Sequence, residues 1–250
     1  MIDYNVNING LDIEAGYNEQ DVAEIFVPLL KQLSELQKKK GRRILVMLAA
    51  PPGAGKSTLL SFLEKLSKET EGVEEIQTIG MDGFHRRQEY LTSHETVRDG
   101  KTIKMVEIKG APETFDIELL EERIKKVASG EVCGWPIYDR TLHNPVDNVI
   151  TISKDIVLLE GNYLLLDDDG WRDLKNYADF TISVVADEQL LRQRLVARKA
   201  QSCHDLEAAK KFVDFSDMAN VKVCLEKTMK ADMKLKVNMA EEGCRYTIVD

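Results

Sequence analysis

Residues 50–57 read Ala-Pro-Pro-Gly-Ala-Gly-Lys-Ser, directly behind the apolar run Ile44–Ala50 and ahead of the apolar-periodic stretch Thr58–Leu66. Strand, glycine-rich loop, lysine, hydroxyl and helix in that order leave few folds open, because the loop must join a buried strand to a helix N-terminus. Gly53 and Gly55 let the backbone wrap so that successive N–H groups face phosphate oxygens. The loop also feeds the positive end of a helix, which favours the same anion. Lys56 can reach the β- and γ-phosphates, and the Ser57 hydroxyl can hold Mg²⁺. Gly53, Ala54, Gly55, Lys56, Ser57 and Thr58 are therefore the expected nucleotide-binding residues. The strict pattern has a glycine where this chain has Ala50, a change that costs little if the position keeps β-region dihedrals.

The alternation of strands and helices predicts a three-layer α/β fold, with a mostly parallel sheet covered by helices on both faces. At 250 residues, 43% hydrophobic and 31% charged, the chain has material for one substantial core. Its net charge of −9 argues against a broad nucleic-acid surface, so an anionic ligand has to be held by a local focus of positive groups. The four cysteines, Cys133, Cys203, Cys224 and Cys244, show no C-x-x-C spacing, which fits free thiols better than disulfides or zinc. No apolar run approaches membrane-spanning length and no signal-peptide pattern opens the chain, so a cytoplasmic enzyme is expected.

Residues 1–40 are expected to be a helical prefix packed on the core, with residues 41–250 the main domain. Asn18 can cap a helix carrying Val22, Phe26, Leu29, Leu33 and Leu36, which Pro28 should kink or divide. The basic run Lys38–Arg43 is expected to be a solvated helix end. Residues 76–81 read as a short strand, 117–129 as a helix, and Ile156–Leu159 and Thr181–Val185 as strands. Residues 86–116 lack clean periodicity, which suggests a lid or binding region. Beyond residue 200, a helix at Leu206–Phe215 and strands near Met233–Val237 and Tyr246–Val249 are expected.

Ligands of open α/β sheets bind beyond the carboxyl ends of the strands, and two such ends carry acids, Asp82 and Glu160. Taken alone, either is an ordinary turn residue. Beside a phosphate loop, Asp82 is placed to accept the proton of an attacking hydroxyl, and Glu160, closing an unbroken apolar run, to hold a metal ion.

Five ordered segments go further: residues 46–58, Met81-Asp-Gly-Phe-His85, Lys109-Gly-Ala-Pro-Glu-Thr-Phe-Asp116, Pro136-Ile-Tyr-Asp-Arg140 with His143, and Glu160-Gly-Asn-Tyr-Leu-Leu-Leu166. From about residue 20 to about 225 the chain resembles the phosphoribulokinase/uridine kinase family, which also includes bacterial pantothenate kinases. It looks most like the bacterial branch labelled fructose-transport-system kinases. The resemblance implies an ATP-dependent, Mg²⁺-requiring kinase acting on a small molecule's hydroxyl group, with Asp82 as general base and Lys56 on the phosphates. It also implies that His85, Tyr138 and His143 line the acceptor pocket, and that Arg194 and Arg198 lie on a lid at about 187–215. Those two arginines are four residues apart, so both project from one helix face and can meet developing phosphoryl charge.

One departure bears on the acceptor. Where uridine kinases read Phe-Asp-His-Pro this chain has Lys109-Gly110-Ala111-Pro112, so the ribose-gripping carboxylate falls on Gly110, and Lys109 is expected to bind the acceptor by meeting an anionic group on it. A sugar, nucleoside or vitamin-like alcohol is the expected acceptor class, with uridine or cytidine the alternative reading. A P-loop ATPase or a non-catalytic nucleotide-binding protein is the alternative function. ATP and the acceptor are the expected partners, without nucleic acid or membrane, and a homodimer is compatible with this reading.

Overall fold

The computed structural model describes residues 1–8, 11–98, 100–203, 205–240 and 243–250. The chain opens with β1 (Ile2–Ile8), β2 (Leu11–Tyr17), α1 (Glu19–Asp21), a π-helical turn at Val22–Phe26, α2 (Val27–Lys40), β3 (Ile44–Ala49) and α3 (Lys56–Glu69). It continues through β4 (Ile76–Gly80), a 3₁₀ turn at Met81–Phe84, α4 (Gln88–Ser93), β5 (Glu95–Arg98), β6 (Lys101–Lys104) and α5 (Ile117–Ser129). Then come β7 (Cys133–Asp139), β8 (Asn144–Ile152), β9 (Ile156–Gly161), β10 (Phe180–Ala186) and α6 (Glu188–Cys203). The last elements are α7 (Leu206–Phe212), α8 (Met218–Lys227), β11 (Met233–Met239) and β12 (Cys244–Val249).

The main sheet runs β1-β2-β12-β11-β10-β3-β9-β4, and β11, β10, β3, β9 and β4 are mutually parallel. Every residue of β3 is buried. Ile44, Val46 and Leu48 pack with the face that carries Leu29, Leu33, Leu59 and Leu63 of α2 and α3. Leu45 and Met47 join the opposite cluster with Leu120, Ile124 and Val127 of α5. Two-sided burial explains why the strand reads as a continuous apolar run rather than an alternating one. It also puts the loop after β3 at the centre of the five parallel strands, where the strand order reverses and ligands bind. Among the described residues no helix is long and apolar enough to cross a membrane.

The prefix differs from expectation. Residues 2–8 and 11–17 are strands, paired antiparallel from Ile2↔Tyr17 to Ile8↔Leu11, and the helix starts only after Asn18. The Asn18 side chain does accept from Gln20 N–H as its cap. Pro28 has no N–H for a helical bond, and the ladder slips just before it: Val27 N–H reaches the carbonyl of Val22.

The basic run is not merely solvated. Gly41 closes α2 in the left-handed region, and Arg43 is buried, donating to the carbonyls of Glu131 and Lys154. Arg42 grips Asp179 at 2.6 and 2.9 Å, Lys40 lies 3.2 Å from it, and Leu45 N–H donates to it at 3.1 Å. Burial pushes the Asp179 carboxyl up, but Arg42, Leu45 and Lys40 outweigh it and hold it below the ordinary aspartate value. A carboxyl depressed in the folded state contributes stability above its unfolded pKa, and that contribution is lost as pH falls through the folded value. Asp179→Asn should therefore cost about 1–3 kcal/mol at neutral pH, since the Asp179 side chain is only 5% exposed and its partners lose a charged acceptor. In urea melts the gap between variant and wild type should narrow below the ordinary aspartate pKa. An equal gap at pH 7 and pH 3 would assign the effect to packing instead.

Candidate active site

The glycine-rich loop has the conformation its sequence demands. Gly53 and Gly55 have φ of 82° and 86°, Gly55 being the residue just before α3. Among the described residues only His143 and Asn148 are non-glycines with positive φ, so Ala50 sits without strain at the position of the first consensus glycine. A side chain at Gly53 would meet the Leu191 carbonyl and Leu195 Cγ, both 3.1 Å away, because α6 packs directly against the loop.

Three strand ends converge here. Ser57 Oγ donates to Glu160 Oε1 at 2.7 Å, and Lys56 Nζ lies 4.0 Å from Glu160 Oε2, with Lys56 14% and Glu160 12% exposed. Asp82 follows β4 in the 3₁₀ turn, which Gly83 lets press against β7: a Cβ at Gly83 would collide with the Pro136 carbonyl. Ser57, Asp82, Glu160 and Tyr138 line one cavity of about 240 Å³. Burial works against ionising Asp82, but the charges of His85, Lys56, Arg140 and Arg198 outweigh it and keep its carboxyl below the ordinary value. Burial pushes Glu160 up, and the negative charge of Asp82 adds to that, against Lys56 and Ser57. The outcome is one carboxylate held in its ionised form and another that burial drives toward its neutral form.

Burial lowers the His85 pKa, and the Asp82 carboxylate and carbonyl beside the ring oppose it. Its Nδ1 is 2.9 Å from the Asp82 carbonyl, which can only accept, so Nδ1 carries a proton and, in the neutral ring, Nε2 is the accepting nitrogen. The ring sits between Phe115 and Tyr138, with centroids at 4.0 and 5.2 Å. Tyr138 leads into a second cavity of about 450 Å³, shared by Arg140, His143, Arg198, Lys199 and Asp217. That lining holds three cations against one carboxylate. His143, exposed at φ 52°, holds a backbone conformation that non-glycine residues adopt at a cost.

Two expectations need revising. Arg194 and Arg198 do not converge: Arg194 donates to the Gly53 carbonyl at 3.3 Å and to Cys244 Sγ at 2.7 Å, on the far side of the loop, while Arg198 lines the Tyr138 cavity. One helix face can carry both, yet four residues of rise is enough to put them in separate cavities. Lys109 does not reach into the pocket; its Nζ donates to Gln88 Oε1 at 2.8 Å and to the His143 carbonyl at 3.1 Å, and lies 4.9 Å from the Tyr138 ring centre. It props the wall that carries Tyr138 and His143. Trp135, by contrast, is a packing residue as its sequence context suggests: it is fully buried and donates to the Gly80 carbonyl at 2.8 Å. Arg140 was passed over by the sequence reading. Its signal is its place directly after Tyr138-Asp139, on the same strand end as the pocket tyrosine.

Cys133, Cys224 and Cys244 are free thiols, and burial pushes Cys224 up to about 12, so it is chemically quiet. His204 lies outside the described residues.

The chain is similar to known proteins from several organisms. An Escherichia coli protein, "Uncharacterized protein YggC", is 40% identical over 242 residues, 96% of this chain and 97% of its own length. A Schizosaccharomyces pombe protein named as a candidate uridine kinase is 33% identical over 198 residues, 76% of this chain and 81% of its own. A crystal structure from Silicibacter sp. TM1040, described as a candidate fructose transport system kinase, superposes with a TM-score of 0.71 at 29% identity, covering 82% of this chain and 98% of that one. The sequence model of the phosphoribulokinase/uridine kinase family matches residues 45–241, and the chain belongs to that family of P-loop kinases.

Proposed function

We propose that the protein transfers the γ-phosphoryl group of ATP to a hydroxyl of a small molecule that itself carries an anionic group. The observation that carries the reading is Asp82, an ionised carboxylate in the same cavity as the phosphate-loop hydroxyl of Ser57. The loop amides and Lys56 hold the phosphates. Asp82 takes the acceptor's proton as its oxygen bonds to the γ-phosphorus, the bond from that phosphorus to the β,γ-bridging oxygen breaks, and ADP departs. The Arg198 guanidinium balances charge on the equatorial oxygens, with α6 and α7 as the lid. His85 Nε2 can accept from a second hydroxyl and orient the acceptor.

The donor set of Ser57 Oγ and Glu160 fits Mg²⁺, which prefers hard oxygens and takes one or two protein ligands beside substrate phosphates and waters. When bound there it neutralises charge on the β- and γ-phosphates.

The acceptor's anionic group is argued from Arg140 and Arg198, whose guanidinium groups share that cavity. Gly110 is turned away from any such role: its φ is 103° and its carbonyl accepts from Tyr163 Oη at 2.7 Å. Nothing at that position grips ribose hydroxyls, which disfavours a nucleoside acceptor. ADP release from Mg–ATP should be screened against sugar phosphates, pantothenate, neutral sugars, uridine and cytidine. Anionic alcohols should lead, with kcat/KM for uridine below about 10⁴ M⁻¹s⁻¹, the low edge of ordinary efficiency. Uridine above that mark would restore the nucleoside kinase reading, and ADP release indifferent to every acceptor would indicate an ATPase.

A further inference from the structure

The first two strands lie outside residues 45–241, the span that matches the kinase family, yet they are fastened to the helix that carries the phosphate loop. Tyr17 stacks on Phe62 of α3 with ring centres 3.9 Å apart, and Tyr4 Oη bonds Ser61 Oγ at 2.6 Å. We propose that this N-terminal hairpin is part of the catalytic apparatus: the inward face of β2 is a wall of the pocket for the nucleoside half of ATP. The inference rests on the kinase reading above and assigns a site within it.

Alternation along β2 puts Ile13, Ala15 and Tyr17 on one face, and the burial of Tyr17 shows that this face points inward. Together with Met239 and Tyr246 these residues enclose a cavity of about 340 Å³ whose floor is Gly53–Gly55 and Thr58. Two cavities thus flank the phosphate loop. The one lined by Asp82 and Glu160 is where the γ-phosphoryl must lie, because that is where a proton can be taken. A triphosphate laid along the loop amides from that end directs its ribose and base to the other. That other cavity has the chemistry a base needs: apolar walls, the guanidinium of Arg194, and exposed Glu14 as its acidic group. Arg194, four residues from the catalytic-side Arg198, therefore serves the base rather than the transferred phosphoryl. The tip of the hairpin reaches further, since Asn7 and Ile8 line the Asp82 cavity on the other side of α3.

The test compares two ligands on the full chain by isothermal titration calorimetry: ATP, which needs both the loop and the base pocket, and inorganic tripolyphosphate, which needs the loop alone. Ala15→Trp fills the cavity and should weaken ATP at least about tenfold while changing tripolyphosphate by less than about twofold. Ile13→Ala, which only trims the wall and keeps the fold where the larger change does not, should weaken ATP about threefold, again selectively. Unchanged ATP affinity in either folded variant, or equal weakening of both ligands by Ile13→Ala, would overturn the assignment. Wild-type protein that bound neither ligand, or a Lys56→Ala variant that bound both as well as wild type, would instead remove the kinase reading on which the assignment stands.

Discussion

Lys56→Ala should abolish phosphoryl transfer and leave the fold in place. The lysine is the first residue of α3, and its ammonium faces Glu160 across 4.0 Å rather than any part of the core. Alanine is a better helix former than lysine, so the helix itself loses nothing. What disappears is the one lysine at the phosphate loop, in a site where burial has stripped away most of the water that would screen charge. A single preorganised donor of this kind is worth about 10²–10³ in turnover, and a full positive charge on the transferring phosphates more. The loss also leaves Glu160 without its nearest cation, so its carboxyl rises further and holds a metal ion less well near neutral pH. Both effects lower activity. Thermal melting within about 2 °C of wild type, together with ADP formation below about 1% of wild type, is the expected pair of results. A folded variant with ordinary turnover would remove the phosphate loop from the mechanism.

Much of this architecture is legible in the sequence, because the residues that matter are constrained locally. A loop with Gly53 and Gly55 between a six-residue apolar strand and a helix has one sensible conformation. The end of β9 follows from an apolar run stopping at Glu160-Gly161, and that of β4 from the turn-forming Gly80 and Asp82-Gly83. The α5 helix is bounded by the Asp116 cap and by Gly130 in the left-handed region. The N-terminal strands escaped for a different reason. Ile2, Tyr4, Val6 and Ile8, then Leu11, Ile13, Ala15 and Tyr17, alternate with period two around Asn9-Gly10, the strongest dipeptide signal for a hairpin. The helical pattern after Asn18 drew the whole prefix into one reading. The segment at 86–116 hid β5 and β6 because these strands are short, four residues each, and mostly exposed, with no buried face to impose a period. Side-chain destinations were harder still. Nothing in a spacing of four tells that Arg194 turns to Gly53 and Arg198 to Tyr138, or that Lys109 is spent on Gln88 and the His143 carbonyl; those outcomes depend on contacts between segments far apart in the chain.

Asp82→Asn should reduce turnover by about two to four orders of magnitude, the usual cost of losing a positioned base, while ATP binding survives. The substitution is nearly isosteric, and the turn that holds residue 82 is fixed by backbone packing of Gly83 against Pro136, so geometry is preserved. An amide cannot take the acceptor's proton. The competing effect has the opposite sign. Asp82 is a negative charge beside Glu160 and raises its carboxyl, so removing it makes the site less hostile to the triphosphate. ATP should therefore bind as well as before or slightly better, with the whole deficit in kcat and none in the nucleotide KM. The pH profile adds a second discriminant. The wild-type Asp82 carboxyl lies below the ordinary aspartate value, so wild-type turnover should not decline on Asp82's account until the solution is more acid than that value. The residual rate of the variant should instead keep rising with pH, as hydroxide or water takes over the proton. A variant that loses ATP affinity while its residual turnover keeps the wild-type pH profile would make Asp82 a nucleotide ligand and leave the base to be found elsewhere, with His85 next in line.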